Sequence, residues 1–381
     1  MKIQNAEVVR IRDAVRLPTP WVQAWRAPSG AATHALSFTI YRLTTDEGIV
    51  GVGPYTGAPP EMVLGLNPFS AGAFWSEHMS GIRAGLSGKG ASGLEIALWD
   101  IAGKAAGQPI HRLLGSRRDL LLVYAATSRL LDTEALVQEA LELQAQGFRA
   151  IKLRLHRQDP REDLATVTAV RSAIGDDTLL MADANQNNTS KGYPYWSRLT
   201  ALKMARELDA LGLYFLEEPL SRTDLTGLAE IAANVDMFIA GGEHTPTIYD
   251  WLPALRQDAY DILQPDLVMG GNLGIIGARK VAEYADAFGK LVIPHVLMSD
   301  ANFPLCLAAT LQAMATVDNC PMVEYPYDPP ILTEETTQRF IQEPLHINAD
   351  GCIELPDKPG LGIEIDESRL REAEIIGRVT L

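Results

Sequence analysis

The chain has 381 residues, 47% of them hydrophobic, and a formal net charge of −15. This length exceeds one small core and fits a barrel of about 250 residues plus a second, smaller unit; the apolar content excludes wholesale disorder. The acidic balance and the lack of any basic run exclude nucleic acid as a partner, because neutralising phosphates needs clustered Lys and Arg.

Cys306, Cys320 and Cys352 are odd in number and lack metal-ligand spacing, so no disulfide framework is expected and a reducing cytoplasm is the simplest compartment. The opening MKIQNAEVVRIRDAV has no apolar signal core, and no uninterrupted apolar span is long enough to cross a bilayer, so no membrane partner is expected. Residues 2–12, 36–43 and 49–54 alternate or are β-branched, with DEG at 46–48 as a turn, and predict a small antiparallel meander. Between its first two strands lies RLPTPWVQAWRAPSGAATHA. A connection that long predicts a lid, which makes Trp25, Arg26 and His34 candidate substrate contacts. Helical periodicity follows over 61–115, where Leu94, Ala97, Leu98, Ile101 and Ala105 recur at helix spacing, so Trp99 and Asp100 call for packing explanations first.

From about 120 the pattern changes to LLLVYAA, AIKLRLH, LLMADAN, LYFLEEP, MFIAGGE, YDILQPD, KLVIPHV and MVEYP, with amphipathic stretches between. Eight buried runs at roughly even spacing predict a closed parallel (β/α) barrel. A doubly wound open sheet is the competitor, but no Walker or dinucleotide fingerprint is present, and GGNLG at 270–274 is only a turn opening a helix. The tail INADGCIELPDKPGLGIEID returns to strand-turn-strand character. The expected organisation is an α+β capping domain at 1–118, the barrel at 119–345, and a segment at 346–381 that packs back on the cap.

Three of the runs end on an acid: Asp183, Glu217 and Glu243, 34 and 26 residues apart. Each interval suits one strand-loop-helix-loop unit, which sets neighbouring strand ends side by side on one rim. Three carboxylates converging there repel without a cation. Oxygen-only ligation, with no Cys or His in the set, favours Mg²⁺ over zinc. Strand period two puts Lys152, Arg154 and His156 on one face of the second barrel strand, pointing to the mouth. Asp266 closes the sixth run and His295 the seventh, so a carboxylate stands behind an imidazole, fixing its tautomer and raising its basicity. His34, His78, His111, His244 and His346 lack such a setting, although His244 is beside Glu243. Glu324 ends the eighth run, where neighbouring carboxylates are expected to keep it protonated as a hydrogen-bond donor. Together these groups suit abstraction of a proton α to a carboxylate. One added negative charge about 4 Å from a divalent ion gains roughly 8 kcal/mol at an effective dielectric of 20, on the order of six decades of rate. The metal is therefore the largest single contribution, with Lys152 and Glu324 secondary.

Over nearly its whole length the chain resembles the enolase superfamily, specifically its mandelate racemase-like branch. The resemblance rests on ALWDIAGKAAGQPIHRLLG at 97–115, the K-x-R of IKLRLH, DANQ, EEP, GGE, QPD, IPH and PGLGIEID. It implies an α+β cap over a modified (β/α)7β barrel, one Mg²⁺ held by Asp183, Glu217 and Glu243, and a Lys or His base, as is general for such sites. It further implies that His295 is the base oriented by Asp266, that Glu324 hydrogen-bonds the enediolate, that Lys152 contacts the substrate carboxylate, and that Asn185 touches that carboxylate or the α-hydroxyl. Symmetric homo-oligomers are common in the family. Racemases of this branch usually carry K-x-K, and Arg154 replaces the second Lys. Guanidinium stays protonated in ordinary settings, so two-base racemisation loses a base. A single His can still take the α-proton and then protonate a departing β-hydroxyl, which makes dehydration of an acid sugar to a 2-keto-3-deoxy acid the leading expectation. Racemisation, epimerisation or lactone cycloisomerisation is the alternative within the enzyme class. A non-catalytic binding protein is the alternative outside it, disfavoured because none of the three metal acids is lost. Substrate identity is expected to lie in the lid, in the turn GPYTGAPP and in the loop of Ser299 and Asp300.

Overall fold

A computed structural model describes residues 1–26, 30–85, 90–187, 195–271, 273–297 and 301–381. The N-terminal strands form a four-stranded antiparallel sheet in the order β13-β1-β2-β3, with β1 at Ile3–Trp21, β2 at Thr33–Thr45, β3 at Val50–Pro54 and β13 at Glu374–Thr380. The first two strands are longer than the sequence suggests. Leu36 pairs with Val15, and Trp21 pairs with Thr33, because Val15, Leu36 and Trp21 each bury an apolar side chain along the extension. Much of the expected lid is thus a hairpin arm. The end of β1 is anchored, since Trp21 Nε1 donates to Ser128 Oγ at 2.9 Å and Ala24 N to Ser128 O at 2.8 Å.

Helices α1 (Ala71–Arg83), α2 (Ser92–Ala106) and α3 (Ile110–Leu113) follow. Helix α2 lies hard against β3, where a Cβ on Gly53 would stand 2.1 Å from Gly93 O and one on Gly93 would stand 1.8 Å from Pro54 O. Only two hydrogens fit between these backbones, which explains the GVG of the third strand.

The barrel strands are β4 (Leu120–Ala126), β5 (Ala150–Arg154), β6 (Leu179–Asp183), β7 (Phe215–Glu217), β8 (Phe238–Gly241), β9 (Ile262–Leu263), β10 (Leu291–Val292) and β11 (Met322–Pro326), one from each run. They pair in the order β10-β9-β8-β7-β6-β5-β4-β11, all in parallel, and β12 (Cys352–Glu354) adds antiparallel to β4. Helices α4 (Thr133–Ala145), α5 (Pro160–Ile174), α6 (Arg198–Ala210) and α7 (Leu225–Ala232) return the chain between strands. Each starts on a side-chain cap, from Asp132, Asp159, Ser197 and Asp224 in turn, which satisfies amides that the first helical turn leaves open. Helices α8 (Leu252–Arg256), α9 (Gly274–Ala287) and α10 (Phe303–Met314) complete the ring.

The fold is a modified (β/α)7β barrel with an α+β cap. Among the described residues, however, the closed ladder expected from eight even runs is interrupted between β10 and β11. Among the described residues β10 pairs with β9 on one edge and lacks ladder pairing on the other. Val292 N donates to Asn319 O at 3.0 Å and Val296 N to Glu324 Oε2 at 2.8 Å, so one backbone bond and one carboxylate bridge the seam. All twelve residues of α10 are buried, because the helix is covered by β3 and α3 as well as by the barrel. No helix among the described residues is long and apolar enough to cross a membrane.

Candidate active site

Parallel register builds the rim. Arg154 pairs with Asp183 and Asp183 with Glu217, so three consecutive strands end level with one another. Glu243 lies two residues past β8, beyond Gly242 at φ 101°, and Asp266 and His295 follow β9 and β10. Lys152, Arg154, Asp183, Asn185, Glu217, Glu243, Asp266, His295 and Glu324 are all buried. The two-residue alternation of β5 brings Lys152 and Arg154 to the same face.

The base pair read from the sequence is present. His295 Nδ1 and Asp266 Oδ2 are 2.6 Å apart, and Asp266 Oδ1 accepts the amides of Val268 and Met269 at 2.6 and 2.5 Å. These amide donors hold Asp266 from one side and leave Nε2 of His295 facing the rim, 3.3 Å from Glu243 Oε2 and 3.9 Å from Glu324 Oε2. Burial opposes charge on the imidazole, but Glu243, then Glu324 and Asp266, outweigh it and raise His295 to about 10. His244 Nε2 lies 3.1 Å from the other oxygen of Glu243.

Lys152 Nζ joins Glu217 Oε2 at 2.7 Å and Glu324 Oε1 at 2.8 Å. Desolvation works against this ammonium, yet Glu217 and Glu324 hold it well above its ordinary value. Glu324 departs from expectation. Burial pushes its carboxyl up, but Lys152, then His295 and Arg154, bring it below the usual value, so it is an ionised acceptor rather than a protonated donor. The sequence reading counted the neighbouring acids and missed the lysine that arrives from β5. Arg154 donates from Nε to Thr127 O at 2.7 Å and from Nη1 to Asp183 Oδ2. Against desolvation, Asp183 and then Glu217 raise it above its usual value, which leaves it no role as a base.

The rim acids bind the site's own cations, and among the described residues no three His, Cys, Asp or Glu converge as a ready-made cage. Their donor set still suits a hard divalent ion. Among the described residues Glu217 Oε1 is buried without a hydrogen-bond partner, while Lys152 and Gln264 both use Oε2. Asp183 is raised to about 8, by burial first and then by Glu217. A buried carboxyl raised beside its neighbour's charge and a carboxylate oxygen left open call for positive charge, and an all-oxygen donor set suits Mg²⁺.

The remaining predicted residues are distributed as follows. The Trp25 ring lies 5.0 Å from the Arg154 guanidinium carbon, as a roof over it. His156 is buried beyond the end of β5, with Nδ1 3.4 Å from Ala184 O, and burial, then Arg154, lower its pKa. Arg26 and His34 are exposed on the hairpin arm, outside this cluster, because the segment that carries them is strand and turn rather than a folded-over lid. Ser299 lies outside the described residues. Two members were not foreseen. Gln264 Nε2 donates to Glu217 Oε2 at 2.8 Å, and its place two residues before Asp266 was a legible period-two signal. Glu218 is buried with both oxygens lacking hydrogen bonds among the described residues and sits at φ 44°, a conformation sparsely used by residues other than Gly, Asn and Asp.

Residues 6–115 match the family model for the mandelate racemase / muconate lactonizing enzyme N-terminal domain, and residues 135–369 match the enolase C-terminal domain-like model. A D-galactarolactone cycloisomerase from Agrobacterium fabrum is 33% identical over 356 residues, spanning 87% of this chain and 90% of its own. An L-talarate/galactarate dehydratase from Salmonella typhimurium is 31% identical over 295 residues, 77% of this chain and 67% of its own. Among solved structures, a racemase from Streptomyces coelicolor A3(2) with bound magnesium superposes with a TM-score of 0.79 at 27% identity, covering 98% of this chain and 99% of its own.

Proposed function

We propose a function from the premise that the chain belongs to the mandelate racemase / muconate lactonizing enzyme family of the enolase superfamily. The protein abstracts the proton α to the carboxylate of an acid sugar and eliminates water to give a 2-keto-3-deoxy acid. The observation that carries this reading is the asymmetry of the rim: one oriented imidazole, His295 on Asp266 at 2.6 Å, and a guanidinium fixed by Thr127 and Asp183 where a second base would stand.

Asp183, Glu217 and Glu243 would hold Mg²⁺, which supplies the positive charge that binds the substrate carboxylate and stabilises the enediolate. Lys152, held protonated between Glu217 and Glu324, adds a hydrogen-bond donor on the same face. With Glu243 taken up by Mg²⁺, the largest cause that raises the imidazole would be withdrawn, and His295 would take the α-proton on Nε2, because Asp266 keeps Nδ1 protonated and stabilises the imidazolium that forms. The same Nε2 then returns its proton to the β-hydroxyl as that bond breaks, so one residue serves both steps. Glu324 holds the backbone just past His295 through Val296 N and so fixes the ring's place on the seam. The dehydratase from Salmonella typhimurium and the arabinonate dehydratase of Saccharolobus solfataricus support elimination.

Cycloisomerisation of an acid-sugar lactone is the second reading, favoured by the Agrobacterium fabrum relative, which matches over 87% of this chain. Both begin with the same proton. Incubation of the Mg²⁺-loaded protein in D₂O with aldonates, aldarates and their lactones separates them. Release of a 2-keto-3-deoxy acid lighter than an open-chain substrate by one water is the expected result. A keto acid isomeric with its substrate, formed from the lactones alone as the ring oxygen leaves the β-carbon, would establish the second reading. Recovered substrate carrying α-deuterium without either product would overturn both in favour of epimerisation.

A further inference from the structure

The roof over Arg154 hangs on the end of the first barrel strand. Tyr325 and Pro326 of β11 pair with Ala125 and Ala126 of β4, so Ser128 and Asp328, each two residues past the last pair, stand level beside each other. Both are fully buried. Asp328 Oδ2 accepts the Ser128 amide at 2.9 Å and the Ser128 hydroxyl, and Oδ1 accepts Arg129 Nε at 2.8 Å, which gives the buried carboxylate its cation. The hydroxyl has one proton, and Asp328 takes it. Its lone pairs are left to face Trp21 Nε1, a group that can only donate, at 2.9 Å.

The relay continues through rings. Trp21, itself fully buried, meets Trp25 edge to face, with centroids 6.2 Å apart and planes at 88°, an arrangement that aromatic pairs favour. The Trp25 ring in turn lies 5.0 Å from the guanidinium carbon of Arg154. Arg154 is held by Thr127, whose carbonyl accepts its Nε at 2.7 Å. Ring and cation are therefore fixed by two consecutive residues of one strand end, Ser128 and Thr127. Trp25 is half-buried, which leaves indole surface uncovered beside the rim.

We propose that Ser128, oriented by Asp328, is a positioning residue that sets the Trp25 ring before substrate arrives and so governs how tightly the mouth holds an acid sugar. The arm at this point is a preset wall and not a moving cover. Ordering a loose aromatic side chain on binding costs affinity, so a ring fixed beforehand holds the C–H face of a polyol more tightly. Ser128 acts on the substrate only through Trp21 and Trp25. The inference rests on the acid-sugar reading above.

The test uses full-length, Mg²⁺-loaded protein grown with ring-fluorinated tryptophan, in which Trp25→Phe assigns the Trp25 fluorine signal. Ser128→Ala and Trp21→Phe remove the indole–hydroxyl bond from opposite ends, so either decides the question if the other fails to fold. Each is expected to move or broaden the Trp25 signal while those of Trp75, Trp99, Trp196 and Trp251 stay in place. The double variant is expected to do no more than one single change, because both cut the same link. With D-gluconate, D-galactonate and L-arabinonate as probes, KM for the best substrate is expected to rise on the order of tenfold with kcat changed less than about threefold, the mark of binding lost equally from ground and transition states. A Trp25 signal unmoved in both variants, or a KM unchanged when it moves, would overturn the positioning role and leave the acid-sugar reading standing. Failure of the wild-type protein to turn over any aldonate or aldarate would overturn that reading and with it the role in binding, while the fluorine signal still decides whether Ser128 sets Trp25.

Discussion

Buried acids occur at two places in this molecule, and their partners differ in kind. Where the cap meets the barrel, Asp100 on α2 accepts Val52 N at 2.9 Å, Leu361 N at 2.9 Å and Lys104 Nζ at 2.7 Å, which ties together β3, the C-terminal segment and its own helix. Glu95, on the same helix, accepts Ile275 N and Ile276 N at 3.0 and 3.2 Å and Trp99 Nε1 at 2.9 Å, so it closes the first turn of α9. Most of these donors are backbone amides, which cannot leave. On the rim, Asp183, Glu217 and Glu243 are held mainly by side chains that can yield to a ligand, and Glu217 keeps one oxygen open. Satisfaction mainly by backbone amides marks a structural acid, while side-chain pairing with an orphaned oxygen marks a chemical one.

The sharpest way to break this contrast is to neutralise one acid of each kind. Glu217→Gln is expected to lower turnover by on the order of a thousandfold or more and to abolish stabilisation by Mg²⁺ in thermal melts, because the metal carries most of the charge stabilisation. Retained Mg²⁺-dependent turnover would move the metal elsewhere. Asp100→Ala is expected to do the reverse, costing about 3 kcal/mol in denaturant unfolding by stranding two amides and an ammonium, with Mg²⁺ affinity unchanged. An intact stability would show that the seam does not depend on it.

A pH titration sharpens the comparison further. Burial raises Glu95 to about 8, with the three donors only partly opposing it. An acid whose folded pKa exceeds its unfolded one binds a proton on folding, so its contribution falls as pH rises from the ordinary carboxylate range to about 8 and is constant above. The metal-free protein should accordingly lose stability across that window, and Glu95→Gln should make the slope shallower by its one proton, leaving the shares of Asp183 and Glu218. An identical slope in the variant would assign it to other groups.

How far the sequence could be read follows the same division. All eight strands and the acids closing three of them were legible, because buried strands are continuous apolar runs and period two orients their last residues. The His295–Asp266 pair was legible because adjacent strand ends must meet. Which cation answers which acid was not, since it depends on the reach of side chains across the barrel mouth: Lys152 crosses to Glu324 and ionises it. The hairpin arm was hidden by Pro18 and Pro20, whose turn-like signal is outweighed by burial of Trp21. Two motifs behind the family resemblance proved to be partners of each other, since Asp100 of ALWD bonds Leu361 of PGLG, and a Cβ on Gly360 would come within 2.2 Å of Asp100 Oδ1.

The smallest expected effect tests the rule most closely, because it inverts the usual cost of a core substitution. Glu218 is fully buried, and neither of its oxygens has a hydrogen-bond partner among the described residues. Burial, then Glu243, Asp183 and Glu217, hold its carboxyl well above the ordinary range. Glu218→Gln breaks no hydrogen bond among the described residues and keeps the position uncharged within the acid cluster at every pH. Denaturant unfolding of the chelator-treated protein should therefore show a change within about 0.5 kcal/mol of zero or a gain, where most buried substitutions destabilise. A loss as large as that of Asp100→Ala would place Glu218 with the structural acids and limit the rule to the seam.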